Sequence, residues 1–116
     1  NLGLFGTFIS GTSYTMWGWG TDYSASASMS GIYTWEHHVL TYGGGVWRFY
    51  KNGAQTTAVN TTLATFNGPL TLGTGPVAAG TGDHSRYFAG YVDEVYVFNW
   101  PMGATEIAAL YNVTRP

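Results

Sequence analysis

Cysteine is absent from this chain, which excludes disulfide staples, thiol nucleophiles and zinc sites built on thiolate ligands. Charge is scarce as well. Only 9% of the residues are Asp, Glu, Lys or Arg, against roughly 25% in an ordinary soluble domain, so Thr, Ser, Gly and Asn must cover much of the surface, as is common on extracellular β-proteins. The four cations, Arg48, Lys51, Arg86 and Arg115, are scattered and the net charge is −2. No basic patch is left to neutralise phosphates, and nucleic acid is not an expected partner. No apolar run approaches the roughly 18 residues of a membrane-spanning helix. Within residues 1–116 neither a membrane span nor a signal peptide is read. What is plentiful is aromatic and apolar side chains, at 17% and 45%, enough for one domain with one core. Seventeen glycines fall between apolar runs and form no repeat, so the chain is read as folded and not as low-complexity.

Turn signals recur at short intervals, among them Gly43-Gly44-Gly45, Asn52-Gly53, Asn67-Gly68-Pro69 and Gly80-Thr81-Gly82-Asp83. Short strands between such turns predict an all-β sandwich or barrel, with strands near 2–9, 13–19, 30–42, 46–51, 55–58, 70–73 and 87–98. The glycines at 43–45 allow positive φ in a tight hairpin between two aromatic strands, and Asn52-Gly53 does the same for the next one. From Tyr91 to Phe98 the side chains alternate, Tyr91, Asp93, Val95 and Val97 on one face and Val92, Glu94, Tyr96 and Phe98 on the other, which predicts a half-buried strand. Pro101 ends the pairing. Gly103 with Glu106 three residues on reads as a weak capping box, opening a helix over 104–111 with Ile107 and Leu110 as its apolar stripe.

The segment from Trp35 to Gly53, WEHHVLTYGGGVWRFYKNG, and the ending GYVDEVYVFNWPMGATEIAALY resemble the laminin-G-like branch of the concanavalin A-like lectin/glucanase superfamily. That branch shows W-x-H-V-A-x-x-Y, a hairpin, Y-x-N-G, and finally G-x-I-D-E-V-x-x-Y-N before a helix of the type A-x-E-I-x-x-L-Y. Trp35, His37, Thr41, Tyr42, Tyr50, Asn52, Gly53, Gly90, Asp93, Glu94, Val95, Glu106, Ile107, Leu110 and Tyr111 fill those places. His38, Val39 and Trp100 depart from them. The resemblance implies an antiparallel β-sandwich of jelly-roll type with one short C-terminal helix, a single domain over 1–116. It begins at the family's middle strands, and such a domain normally needs roughly 150 residues. The opening strands are therefore expected on a longer polypeptide or on a neighbouring subunit.

Asp93 is the sharpest site candidate. A carboxylate on the more buried face of a strand needs a partner. Calcium takes carboxylate and carbonyl oxygens, and the resemblance implies a structural calcium at the matching aspartate; the competing reading is that Asp93 caps backbone N–H groups or pairs with Arg86. Trp17 and Trp19, alternating with glycine, share one face, and with Asp22 and Tyr23 they form a candidate sugar-stacking site. The alternative, which is favoured, packs the two indoles between the sheets. Trp47 and Phe49 are read as core. His37 and His38 point to opposite faces of one strand and do not grip one metal; Asp83, His84, Ser85 and Arg86 form a polar loop. Asn60-Thr-Thr and Asn112-Val-Thr fit the N-glycosylation pattern.

A glycosidase needs two facing carboxyl groups roughly 5–9.5 Å apart. The E-x-D-x-x-E pattern that related glucanases carry is missing, and so are a nucleophile elbow and a P-loop. The expectation is a non-catalytic extracellular or cell-surface module of a larger protein, meeting glycan or other extracellular chains in adhesion, structural assembly or glycan recognition. The alternative is a carbohydrate-binding module or lectin-like fragment attached to a glycoside hydrolase.

Overall fold

Residues 4–10, 13–19, 23–28, 33–62, 72 and 88–115 are described by the computed structural model of the chain, in the first strands as backbone. They form two antiparallel three-stranded sheets and one helix. The first sheet contains β1 (Leu4–Ser10), β2 (Ser13–Trp19) and β3 (Tyr23–Ser28), in the order β1-β2-β3; the second contains β4 (His38–Gly43), β5 (Val46–Lys51) and β6 (Ala54–Asn60), in the order β4-β5-β6. The sheets meet through β3 and β6, and the Lys51 ammonium donates to the Ser28 carbonyl at 2.9 Å. This is the all-β, one-helix architecture that the turn spacing calls for.

The β4–β5 hairpin turns on Gly44 and Gly45 at φ 59° and 73°, and β5–β6 turns on Asn52 and Gly53 at φ 50° and 80°. Both are two-residue turns of the kind whose twist suits antiparallel strands, and only glycine and asparagine enter them cheaply. Pairing of Gly43 with Val46 and of Lys51 with Ala54 fixes the register on either side. Thr56 is the extra residue where the β5–β6 register shifts after Phe49, and its hydroxyl donates to the Phe49 carbonyl at 3.3 Å.

β5 is the centre of the core. Trp47, Phe49 and Tyr50 are buried, as is Thr41 beside them, so Trp47 and Phe49 are core residues as expected. The helix α1 (Ala104–Thr114) adds Ile107, which has no exposed surface. Gly53 lets this helix approach: a Cβ there would stand 3.0 Å from Cδ1 of Tyr111 and 3.3 Å from Cα of Ala108. The Glu106 carboxylate accepts the Gly103 N–H at 2.7 Å, which is half of a capping box, since glycine has no side chain to return the bond.

Three expectations change. The strand expected over 30–42 starts only at His38, after an irregular 33–37 in which Tyr33 has φ 66°. β3 was not expected, because Ser and Ala have little strand preference; pairing with β2 makes it a strand. The half-buried strand expected over 87–98 is not formed: the described residues 88–98 lie in no ladder and are exposed. Glu94 has φ 53°, a left-handed conformation that interrupts alternation, and no described strand lies alongside to satisfy the backbone. The strand expected over 70–73 and the loop from Asp83 to Arg86 fall outside the described residues, apart from Leu72.

Candidate functional site

Among the described strands β4 lies at the outside of its sheet, and it faces a chain segment that glycine admits. A Cβ on Gly43 would stand 2.7 Å from Cγ of Pro101, so only a residue without a side chain lets Phe98–Pro101 lie against the β4–β5 hairpin. Between Leu40, Thr41 and Tyr42 of β4, Trp47 of β5 and the segment 98–101 runs an open groove of about 320 Å³, at the small end of the range for ligand pockets. Tyr42 and Trp47, cross-strand partners, meet at 4.9 Å between ring centroids. The tyrosine hydroxyl donates to the Thr61 carbonyl at a long 3.5 Å.

A row of rings leads out of this groove. Tyr96, Phe98 and Trp100 sit two residues apart, with centroids separated by 6.1 Å between the first two and 5.1 Å between the second two. They are 51%, 39% and 52% exposed. Flat, half-exposed rings with an amide from Asn99 beside them can stack on the C–H face of sugar rings and hold a hydroxyl. No carboxylate lines the groove, so the described residues offer it no general acid. The signal for this row was in the sequence, as aromatics at alternate positions from 96 to 100, but Tyr96 and Phe98 were read there only as part of a strand and Trp100 only as a departure from the family pattern.

Glu36 was not singled out from the sequence, and it is the most buried carboxylate for which surroundings are described. Its side chain is 2% exposed, 2.9 Å from Nε2 of His38 and 3.7 Å from Nζ of Lys51. His38 and Lys51 are cross-strand partners, and Glu36 lies two residues before His38, so all three share a face. That arrangement ties the start of β4 to the end of β5. His37 points away from it, as alternation requires, and packs its ring 5.7 Å from Tyr111. The His37 N–H donates to Oδ1 of Asn52 at 3.0 Å, and Asn52 N–H returns a bond to the His37 carbonyl at 2.9 Å. Burial first, and the neighbouring His38 second, lower the His37 pKa; its Nδ1 is buried without a hydrogen-bond partner.

Asp93 lies in the exposed segment, not on a buried strand face. Its Oδ1 accepts the Glu94 N–H at 2.9 Å, and the Glu94 carboxylate accepts the Tyr96 hydroxyl, whose pKa that bond raises. Calcium takes about six to eight oxygens, and among the described residues no three metal-ligating side chains cluster; Asp93 and Glu94 alone do not make such a shell. Trp17 and Trp19 are placed on β2 and Tyr23 at the start of β3, but their side chains, and Asp22 altogether, lie outside the described residues. Asn60 is exposed at the end of β6. Asn112 is exposed within α1, where the Thr114 hydroxyl of its sequon donates to the Leu110 carbonyl at 2.9 Å. No described helix is long and apolar enough to cross a membrane.

A laminin G family model, described as concanavalin A-like lectin/glucanases superfamily, matches residues 3–108. Among solved structures, an S-layer domain-containing protein from Clostridium thermocellum is similar with a TM-score of 0.62 at 19% identity, over 92% of this chain and 63% of that one. At that identity the likeness is one of fold, and the chain spans less than two thirds of the structure it matches. No curated protein gives a significant match.

Proposed function

Because the chain belongs to the laminin G branch of the concanavalin A-like lectin/glucanases superfamily, we propose that it is a non-catalytic recognition module of a larger extracellular or cell-surface protein, and that it binds glycan. The observation that carries this reading is the half-exposed row Tyr96, Phe98 and Trp100 beside the β4 groove. Rings about 5–6 Å apart match the scale of successive contacts along a sugar chain. The described lining of the groove is aromatic and amide-bearing, without a carboxylate, which supports recognition over cleavage. Trp17, Trp19, Asp22 and Tyr23 are proposed as a second glycan-facing group.

The sparse charge of the chain and its likeness to an S-layer domain-containing protein support a place on a cell surface, where adhesion or structural assembly is the same module's broader role. The alternative, a carbohydrate-binding module attached to a glycoside hydrolase, predicts the same groove and differs in what the parent polypeptide carries. Structural calcium at Asp93 and glycans on Asn60 and Asn112 belong to this reading as proposals. Of the two sequons, Asn60 is the better acceptor, because Asn112 and its threonine are held in a helix.

The test is titration of the chain with a panel of oligosaccharides, followed by tryptophan fluorescence. One or more glycans are expected to bind, and Trp100→Ala to weaken them at least about ten-fold, or about 1.4 kcal/mol. Binding that survives loss of both Trp100 and Tyr96 would move the site elsewhere, with Trp17 and Trp19 next in line.

A further inference from the structure

Asparagine is a chemically labile residue, most of all before glycine, where no side chain shields the following nitrogen and the backbone is little restricted. Asn52 and Asn67 are the asparagines that precede glycine here, and Asn52 lies in the described β5–β6 turn, at φ 50° with Gly53 at φ 80°. Asn52 is held twice. Its Oδ1 accepts the His37 N–H at 3.0 Å and its N–H donates to the His37 carbonyl at 2.9 Å, so the side-chain carbonyl is fixed against the entry to β4. Tyr111 of α1 packs on both sides of this link. Its ring stands 5.7 Å from that of His37, and its Cδ1 lies 3.0 Å from where a Cβ on Gly53 would be. Asn52 and Gly53 are half-buried, whereas Ala54 and Gln55 next to them are exposed.

We propose that Asn52-Gly53 is a deamidation site whose reaction waits on release of α1 from the turn, and whose isoaspartate product keeps the helix from docking again. The Gly53 nitrogen loses its proton and bonds to Cγ of Asn52; the bond from Cγ to Nδ2 breaks, and Nδ2 takes up a proton and leaves as ammonia. Water then opens the cyclic imide at one carbonyl or the other, giving aspartate or isoaspartate. Ring closure needs Cγ to swing onto the Gly53 nitrogen, and the bond from the His37 N–H to Oδ1 opposes that swing. A local opening that lifts Tyr111 from the turn and breaks this bond therefore precedes the chemistry. Isoaspartate carries the main chain through the side-chain methylene, which lengthens a two-residue turn whose flanks are fixed by the pairing of Lys51 with Ala54. Gly53 then leaves the position against Tyr111 and Ala108 that a Cβ would crowd. The site is a one-way timer on the docking of the helix that buries Ile107.

The experiment incubates the 116-residue chain at mildly alkaline pH and follows Asn52 by peptide mapping that separates its asparagine, aspartate and isoaspartate forms. A capped peptide of residues 50–55 gives the rate without the fold. Asn52 in the chain is expected to convert about ten-fold or more slowly than in the peptide, and Tyr111→Ala to raise the chain's rate about three-fold or more. Tyr111→Phe, which keeps the ring, is expected to leave the rate unchanged, and unchanged amide exchange in β5 shows that both variants are folded. The purified isoaspartate form is expected to lose amide protection in α1. Asn52→Asp, which has the new charge on an ordinary backbone, is expected to keep it. Three results would overturn the proposal: conversion in the chain as fast as in the peptide, a Tyr111→Ala chain no faster than the parent, or an isoaspartate form whose α1 amides exchange as those of Asn52→Asp do.

Discussion

His37 sits where three parts of the domain meet: its backbone is tied to Asn52, its ring faces Tyr111 of the helix, and its neighbour His38 belongs to the pair with Glu36. Because burial lowers its pKa from the ordinary 6.5, the neutral ring is the folded form and the unfolded chain takes up the proton first as the pH falls. The stabilisation is thus complete above pH 6.5 and declines as the pH drops below that value towards the folded pKa. Melting followed by circular dichroism is expected to show a lower midpoint at about pH 5 than at about pH 7.5, and His37→Gln to flatten that difference. A profile untouched by the substitution places the pH dependence in another group. The motif W-x-H placed His37 in the family pattern, whereas nothing in the sequence marked Glu36. Its burial depends on the cross-strand pairing of His38 with Lys51, which only the folded register brings about.

The two hairpins of the second sheet were legible because glycine and asparagine at fixed places leave the backbone few other turns. Gly44 and Gly53 separate two reasons for glycine. At Gly44 the φ of 59° is the whole constraint, because a Cβ there would meet nothing within 4 Å. At Gly53 the φ of 80° is joined by contact with Tyr111 and Ala108. Alanine at either position is expected to cost about 1–2 kcal/mol for the left-handed conformation, and Gly53→Ala more, because the helix must shift. Chemical denaturation of the two variants measures the difference; equal losses would mean that the helix adjusts freely. β3 and residues 91–98 show the opposite limits of such reading. Tyr-Ser-Ala-Ser-Ala-Ser is a strand because β2 lies next to it, and the more strand-like 91–98 is none because no described strand does. Alternation states what a segment can pair with, not whether a partner is there.

For the molecule as a whole, the proposed calcium would couple folding to metal concentration. A metal that binds only the folded state raises the melting temperature with its concentration. Under the calcium proposal, millimolar calcium is expected to raise the midpoint, a chelator to reverse the rise, and Asp93→Ala to remove it. No response to calcium would discard the metal and leave Asp93 as the acceptor of the Glu94 N–H. By itself the sequence determined the all-β class, the hairpins at 43–46 and 51–54, the core role of Trp47 and Phe49 and the position of the helix, because these follow from local backbone freedom and from the period of apolar side chains. The tertiary structure decided that Glu36 is buried between His38 and Lys51, that Pro101 lies on Gly43 to form one wall of the groove, and that Tyr96, Phe98 and Trp100 line up beside it in water. Each of these depends on which distant segments come to lie side by side, and a one-dimensional pattern carries a segment's preferences but not its neighbours.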